Sequence, residues 1–183
     1  DQAAKTVRFE VKNGTTSRAP TPPKSGRGAN FICLVCGQAV GDVHIKSEGV
    51  SHRMSAQMLA VVADGPNGRA YLPPNALHVS TAITNRPIDV PEQELPYDPR
   101  NVWVTQYGLT TFADLFTPRQ LVALTTFSDL VGETREQVLA DAMAAGRVDD
   151  GIGIEAGGTG AQAYADAVAT YLAFAVDKAA DFG

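Results

Sequence analysis

The stretch "LTTFADLFTPRQLVALTTFSDLVGE", residues 109–133, is where sustained order restarts after a long proline-rich segment. Thr117 fits an N-cap, Pro118 suits the first helical position, and Gln120 sits where a capping box needs an acceptor. Leu121, Leu124, Phe127 and Val131 then form an apolar stripe, and Gly132 is placed to end the helix. "TREQVLADAMAAG", 134–146, predicts a second helix closed by Gly146. "AQAYADAVATYLAFAVDKAADF", 161–182, predicts a third, with Tyr164, Val168, Leu172, Ala175 and Ala179 along one face. The intervening "VDDGIGIEAGGTG", 148–160, reads as a flexible glycine-rich linker. A three-helix unit over 107–183 is the expectation.

Upstream, the period changes. "KTVRFEV", 5–11, alternates Val7, Phe9 and Val11 with charged residues, as a half-buried strand does. "KNGTTSRAPTPPKSGRG", 12–28, is a mobile basic loop by composition. "QMLAVVAD", "GPNG" and "RAYLP", 57–73, read as two strands and a turn. With the first strand they predict one small antiparallel sheet over 1–74, with "DVHIKSEGVSHRMSA", 42–56, as a connection. Residues 75–106 carry Pro87, Pro91, Pro96 and Pro99 without a sustained period and predict an extended, proline-stiffened connector. The fold class is α+β.

The only two cysteines, Cys33 and Cys36, stand in "GANFICLVCGQAV", 28–40. A disulfide between them would close almost no loop, so metal or redox chemistry is the better reading. A zinc knuckle needs two thiolates on a tight turn, and a glycine after the second lets the backbone take the positive φ that aims amides at sulfur. The other reading is two reduced, half-buried cysteines on a strand turn. His44 and His52 could complete a site, although their spacing is not a usual zinc pattern; an isolated histidine in "DVHIK" more often faces solvent. "GIGIEAGGTG" does not follow a strand and so is no dinucleotide fingerprint.

Fifteen Lys and Arg against twenty Asp and Glu give a net charge of -5, which excludes a chain-wide nucleic-acid footprint. Basic residues gather in the first seventy positions, where Lys46, Arg53 and Arg69 could present a phosphate-facing edge. Ordinary solubilising charge is the competing reading. No apolar run reaches a membrane span of ~20 residues, and a cytoplasmic protein without membrane contact is expected.

"VRFEVKNG", "CLVCGQAV", "SEGVSHRMSAQMLAVVADGPNGRAYLPP", "YGLTTFADLFTPRQLVALTTFSDLVGE" and "AVATYLAFAVDKAADF" together resemble the interior of bacterial adenine-specific DNA methylases that contain a zinc ribbon. The resemblance covers most of the chain in the same order, and "TTFADLFTPRQLVALTTF" is its most specific part. It implies an interior piece of a longer enzyme that uses S-adenosylmethionine to methylate adenine N6 in DNA. It also implies that Cys33 and Cys36 are the second knuckle of a zinc ribbon whose first cysteine pair lies before Asp1. The family's [DN]-P-P-[YFW] motif is absent: "TPPK" and "LPPN" are the only Pro-Pro pairs, and neither has an aromatic residue following. The segment is therefore expected to hold no catalytic or cofactor residues, and to position DNA or support the remainder of the methylase chain. A stand-alone zinc-bearing module that docks on nucleic acid or protein is the alternative.

Overall fold

The structure, a computed structural model, describes residues 3, 7, 9–12, 14, 21–83, 85–98, 100 and 102–182. It is mixed α+β, with two separate two-stranded antiparallel sheets and four α-helices among the described residues. The chain forms two compact units, one from 1–83 and 92–115, the other from 84–91 and 116–183.

In the first unit, β1 (Phe31–Ile32) pairs with β2 (Ala39–Val40), Phe31 opposite Val40. The end of the basic loop is tied to this hairpin: Lys24 bridges Phe31, with its ammonium 5.4 Å from the ring centroid, and Ile32 N–H donates to Pro23 C=O. α1 (Asp42–Val50) follows, where a plain connection was expected. It ends in a Schellman motif, Arg53 N–H to Glu48 C=O and His52 N–H to Gly49 C=O, with His52 at φ 52. β3 (Val61–Gly65) and β4 (Gly68–Leu72) form the expected second hairpin around Pro66-Asn67, Gly65 opposite Gly68. The hairpins share no strand, and Val7 and residues 9–11 pair with neither, so the single sheet is not formed. Lys5, Thr6 and Arg8 lie outside the described residues.

The 75–106 segment is not one extended connector. Asn75 caps α2 (Ala76–Ala82) through a box in which its side chain accepts from His78 N–H and His78 Nδ1 accepts from Asn75 N–H. The helix lies between Pro74 and Pro87, so no proline interrupts it. Farther on, Glu94 bridges Thr111, and Trp103–Tyr107 is a 3-10 turn packed on α1. That packing is backbone on backbone. A Cβ on Gly49 would stand 2.5 Å from Tyr107 O, and one on Gly108, at φ 83, would stand 2.6 Å from Gly49 O.

The second unit is an αα-hairpin. α3 (Pro118–Ala144) starts as predicted: Thr117 Oγ1 accepts from Gln120 N–H at 3.4 Å and Gln120 Oε1 accepts from Thr117 N–H at 2.9 Å. It does not stop at Gly132. Thr134, where the separate second helix was expected to begin, donates its hydroxyl to Leu130 C=O at 2.7 Å inside the helix. The ~1 kcal/mol cost of a mid-helix glycine is outweighed by packing on both sides of it. One 27-residue helix thus replaces two. Gly146, at φ 87, ends it in a Schellman motif, and α4 (Ala161–Phe182) runs back antiparallel.

The loop between them is organised, not a flexible linker. Asp150 accepts from Ile152 N–H and Thr159 N–H at 3.1 and 3.0 Å, and Asp149 accepts from Gln162 N–H at 3.0 Å. Arg147 donates to Gly160 and Thr159 carbonyls and lies over the Tyr164 ring at 4.8 Å. Asp166 joins three pieces: Oδ1 accepts from Arg135 Nε of α3 at 2.7 Å, and Oδ2 accepts from Ile154 N–H of the loop at 3.0 Å. Gly158 has backbone of Ile152 where a Cβ would stand. Among the described residues the buried apolar side chains are Ala113, Leu121, Ala142, Ala161, Ala163 and Ala165, so Leu121 is the one large side chain that is fully covered.

Two outcomes follow from this construction. Gly49→Ala destabilises the first unit by roughly 1–3 kcal/mol, the range for overpacking a tight contact; urea unfolding that leaves it as stable as the parent would contradict the backbone contact. The second concerns acid. The amides of Thr159 and Ile152 hold Asp150 below the usual carboxylate range, and Ile154 N–H and Arg135 do the same for Asp166. With folded pKa values depressed, their stabilisation is present above the unfolded value of about 3.9 and is lost as pH falls through the lower folded values. Amide exchange at Ile152, Ile154 and Thr159 should stay protected down to about pH 4 and open below it; opening already between pH 6 and 4 would be the wrong result.

Candidate functional site

The cysteine turn is built by the short β1–β2 hairpin. Cys33 N–H donates to Gln38 C=O at 2.8 Å and Gly37 N–H donates to Cys33 C=O at 2.9 Å, closing the loop around residues 34–36. Gly37 takes φ 72, the left-handed conformation that its place after Cys36 led us to expect. The groups of the turn that bias ionisation of the Cys33 sulfur are the amides of Cys36 and Val35 and the Cys36 thiol. They favour the charged form and pull the Cys33 thiol below its ordinary pKa, against a small opposing effect of burial. Cys33 is half-buried and Cys36 exposed, and both are free thiols. Chemically, two thiols this close are of the kind that could bind a thiophilic cation.

The two histidines do not join it. His44 sits on α1 with Nδ1 4.0 Å from Glu48 Oε1, and His52 is the left-handed residue that ends that helix. Among the described residues no three His, Cys, Asp or Glu side chains gather as a metal site would require. Two thiols would supply only half of the tetrahedral ligand set that zinc prefers.

Two of the three cations considered for phosphate contact are ion-paired with a carboxylate. Lys46 Nζ lies 3.2 Å from Asp42 Oδ2, one helical turn away. Arg53 is engaged in a fork, Nε to Glu48 Oε2 at 2.9 Å and Nη2 to Oε1 at 2.6 Å. That pairing lowers the Glu48 pKa and raises that of Arg53. Arg69 on β4 is the register partner of Asp64 on β3. Lys46 and Arg53 therefore belong to the α1 region and Arg69 to a different hairpin, and a phosphate would compete with a carboxylate at Lys46 and Arg53.

Sequence reasoning missed the polar framework of the second unit, Arg135, Arg147, Asp149, Asp150 and Asp166. The available signal was "VDDG", since Asp before Gly commonly caps its own loop amides. A similar device in the first unit is Asp114. Partial burial pushes its pKa up, but the amides of Thr111 and Thr110 and the Thr110 hydroxyl prevail and hold it low.

The turn geometry sets a thiol outcome. Alkylation of Cys33 by iodoacetamide should have its pH midpoint below the ~8.5 of a free cysteine, and Gly37→Val should move it back upward by turning the amides away. A midpoint at or above the free value in the parent chain would remove the amide-stabilised thiolate.

Compared with known proteins, the chain matches no protein-family model, no curated protein and no solved structure.

Proposed function

We propose that this chain is a non-catalytic segment of an S-adenosylmethionine-dependent DNA adenine N6-methyltransferase, where it serves as scaffold and carries half of a zinc ribbon. The observation that carries the reading is the Cys33–Cys36 turn, two free thiols on a tight hairpin loop closed by a left-handed Gly37, with no third candidate ligand beside them among the described residues. A half-site of this kind makes physical sense when two further thiolates come from elsewhere in the same protein. The sequence resemblance supplies that context, and the lack of a [DN]-P-P-[YFW] motif places methyl transfer outside this segment.

In such an enzyme the methyl group passes from the sulfonium of S-adenosylmethionine to N6 of an adenine flipped from the duplex. The contribution of this segment is mechanical: two rigid units that hold a ribbon and support the catalytic domain. Direct phosphate contact is the weaker part of the reading, because Lys46 and Arg53 are already paired with Asp42 and Glu48.

The test is expression in a host that lacks its own adenine methylase. The chain joined to the coding sequence that flanks it in its gene should place N6-methyladenine in host DNA, and the chain by itself should not. A flanked product that leaves host DNA unmethylated would overturn the methylase reading. Zinc gives a second readout: the flanked product should hold it tightly and lose it on Cys33→Ser, whereas the chain alone should retain it weakly or not at all.

A further inference from the structure

The two thiols of the β1–β2 turn have a chemistry that a metal-holding role leaves unused. As a structural staple their disulfide would contribute little, because the loop it closes is minimal. The same fact makes such a bond easy to undo, and exposed disulfides are among the labile ones. Whether the bond forms is decided by the geometry of the turn.

That geometry suits it. The hydrogen bond from Gly37 N–H to Cys33 C=O, 2.9 Å long, closes a five-residue turn, and the bond from Cys33 N–H to Gln38 C=O anchors the turn on the hairpin. A turn of this closure brings its first and fourth Cα to about 5 Å by helical dimensions. Disulfides span Cα separations of ~4.4–6.8 Å. The Cys36 thiol is also near enough to bias ionisation of the Cys33 sulfur. Among the described residues no third His, Cys, Asp or Glu gathers with the pair.

Access is divided between the two sulfurs. Cys36 is exposed and Cys33 half-buried. The surface around Cys36 is open, since Gly37 and Gln38 are exposed and Leu34 is exposed at 63%. A small disulfide therefore reaches Cys36 first, with Cys33 one turn away to displace it. Charge adds a preference. Lys24 and Arg27 are the only charged residues from 24 to 41, both are exposed, and Lys24 is held on the hairpin over the Phe31 ring. Such surroundings suit a disulfide that carries carboxylates.

From these observations we infer that Cys33 and Cys36 form a reversible dithiol–disulfide site that reacts with carboxylate-bearing, low-molecular-weight disulfides of the glutathione class. In the forward direction the Cys36 thiolate attacks one sulfur of the small disulfide, so that a mixed disulfide forms on Cys36 and one small thiolate leaves. The Cys33 thiolate then attacks the Cys36 sulfur, the internal bond forms, and the second small thiolate leaves. Two protein thiols are oxidised and one small disulfide is reduced. The two protons given up by the cysteines end on the two small thiols. The inference uses only the turn and does not rest on the methylase reading.

Mass spectrometry after acid quenching tests it on the whole chain, incubated with glutathione disulfide and a metal chelator. The parent should lose both alkylatable thiols while retaining no glutathione, and excess reduced glutathione should restore both. Cys33→Ser should stop at a glutathione adduct on Cys36. Unfolding in urea should lower the equilibrium constant for the internal bond by roughly 10-fold or more, because the turn no longer holds the sulfurs together. A parent that accumulates the glutathione adduct, links two chains, or keeps both thiols unreacted overturns the inference. An internal bond that forms equally well in the unfolded chain overturns it too, and so does a Cys33→Ser chain that gains no adduct.

Discussion

Backbone meets backbone at glycines in both units, and much else follows from these contacts. In the first unit, α1 approaches the 3-10 turn so closely at Gly49 that the neighbouring atoms are carbonyl and Cα atoms of Tyr107, with Gly108 returning the contact. In the second, Gly158 lies against the main chain of Ile152. Contact of this kind removes side chains from the interface altogether. Among the described residues few large side chains are fully buried, although the chain is 44% hydrophobic. Dispersion between packed main-chain atoms, helix pairing and hydrogen-bonded loops take over part of what a core of leucines and phenylalanines ordinarily supplies. The apolar side chains left over sit at the surface, where they are available for association.

Local chemistry was the part of the fold that the sequence made legible. The Thr117–Gln120 capping box, the Pro66-Asn67 hairpin and the left-handed Gly37 each depend on residues a few positions apart, and each is present. Errors arose where a local signal competed with a distant one. Gly132 carries the mark of a helix end, but α3 packs against α4 as one element and the helix continues through it. The glycines of 148–160 suggested freedom, whereas they mark close approach, a distinction that needs the position of Ile152 and Asp150 to be known. The alternation of Val7, Phe9 and Val11 predicted a strand, but a strand needs a partner, and neither hairpin offers one to residues 9–11.

The candidate site was legible in the same limited way. Cysteine spacing and the following glycine pointed to a turn with amides directed at sulfur, and the structure has that turn. The electrostatic surroundings of the basic residues were not readable, because a list of cations says nothing about which carboxylates fold back onto them. Glu48 illustrates this. Five residues before Arg53, it is not a helical neighbour by simple spacing, and only the Schellman ending of α1 brings the two side chains into a fork. Local neutralisation of this sort is how a region rich in Lys and Arg can still be a poor magnet for phosphate.

The hydrogen bonds that shape the cysteine turn span at most five residues, from Cys33 to Gln38. A structure closed over so short a loop has very low contact order, and hairpins of this size form within about 1–10 microseconds, before distant parts of a chain have met. Its geometry thus owes little to the helices or to the second hairpin. During synthesis or after partial unfolding the two thiols would already be presented in their final relation, before the rest of the chain has folded.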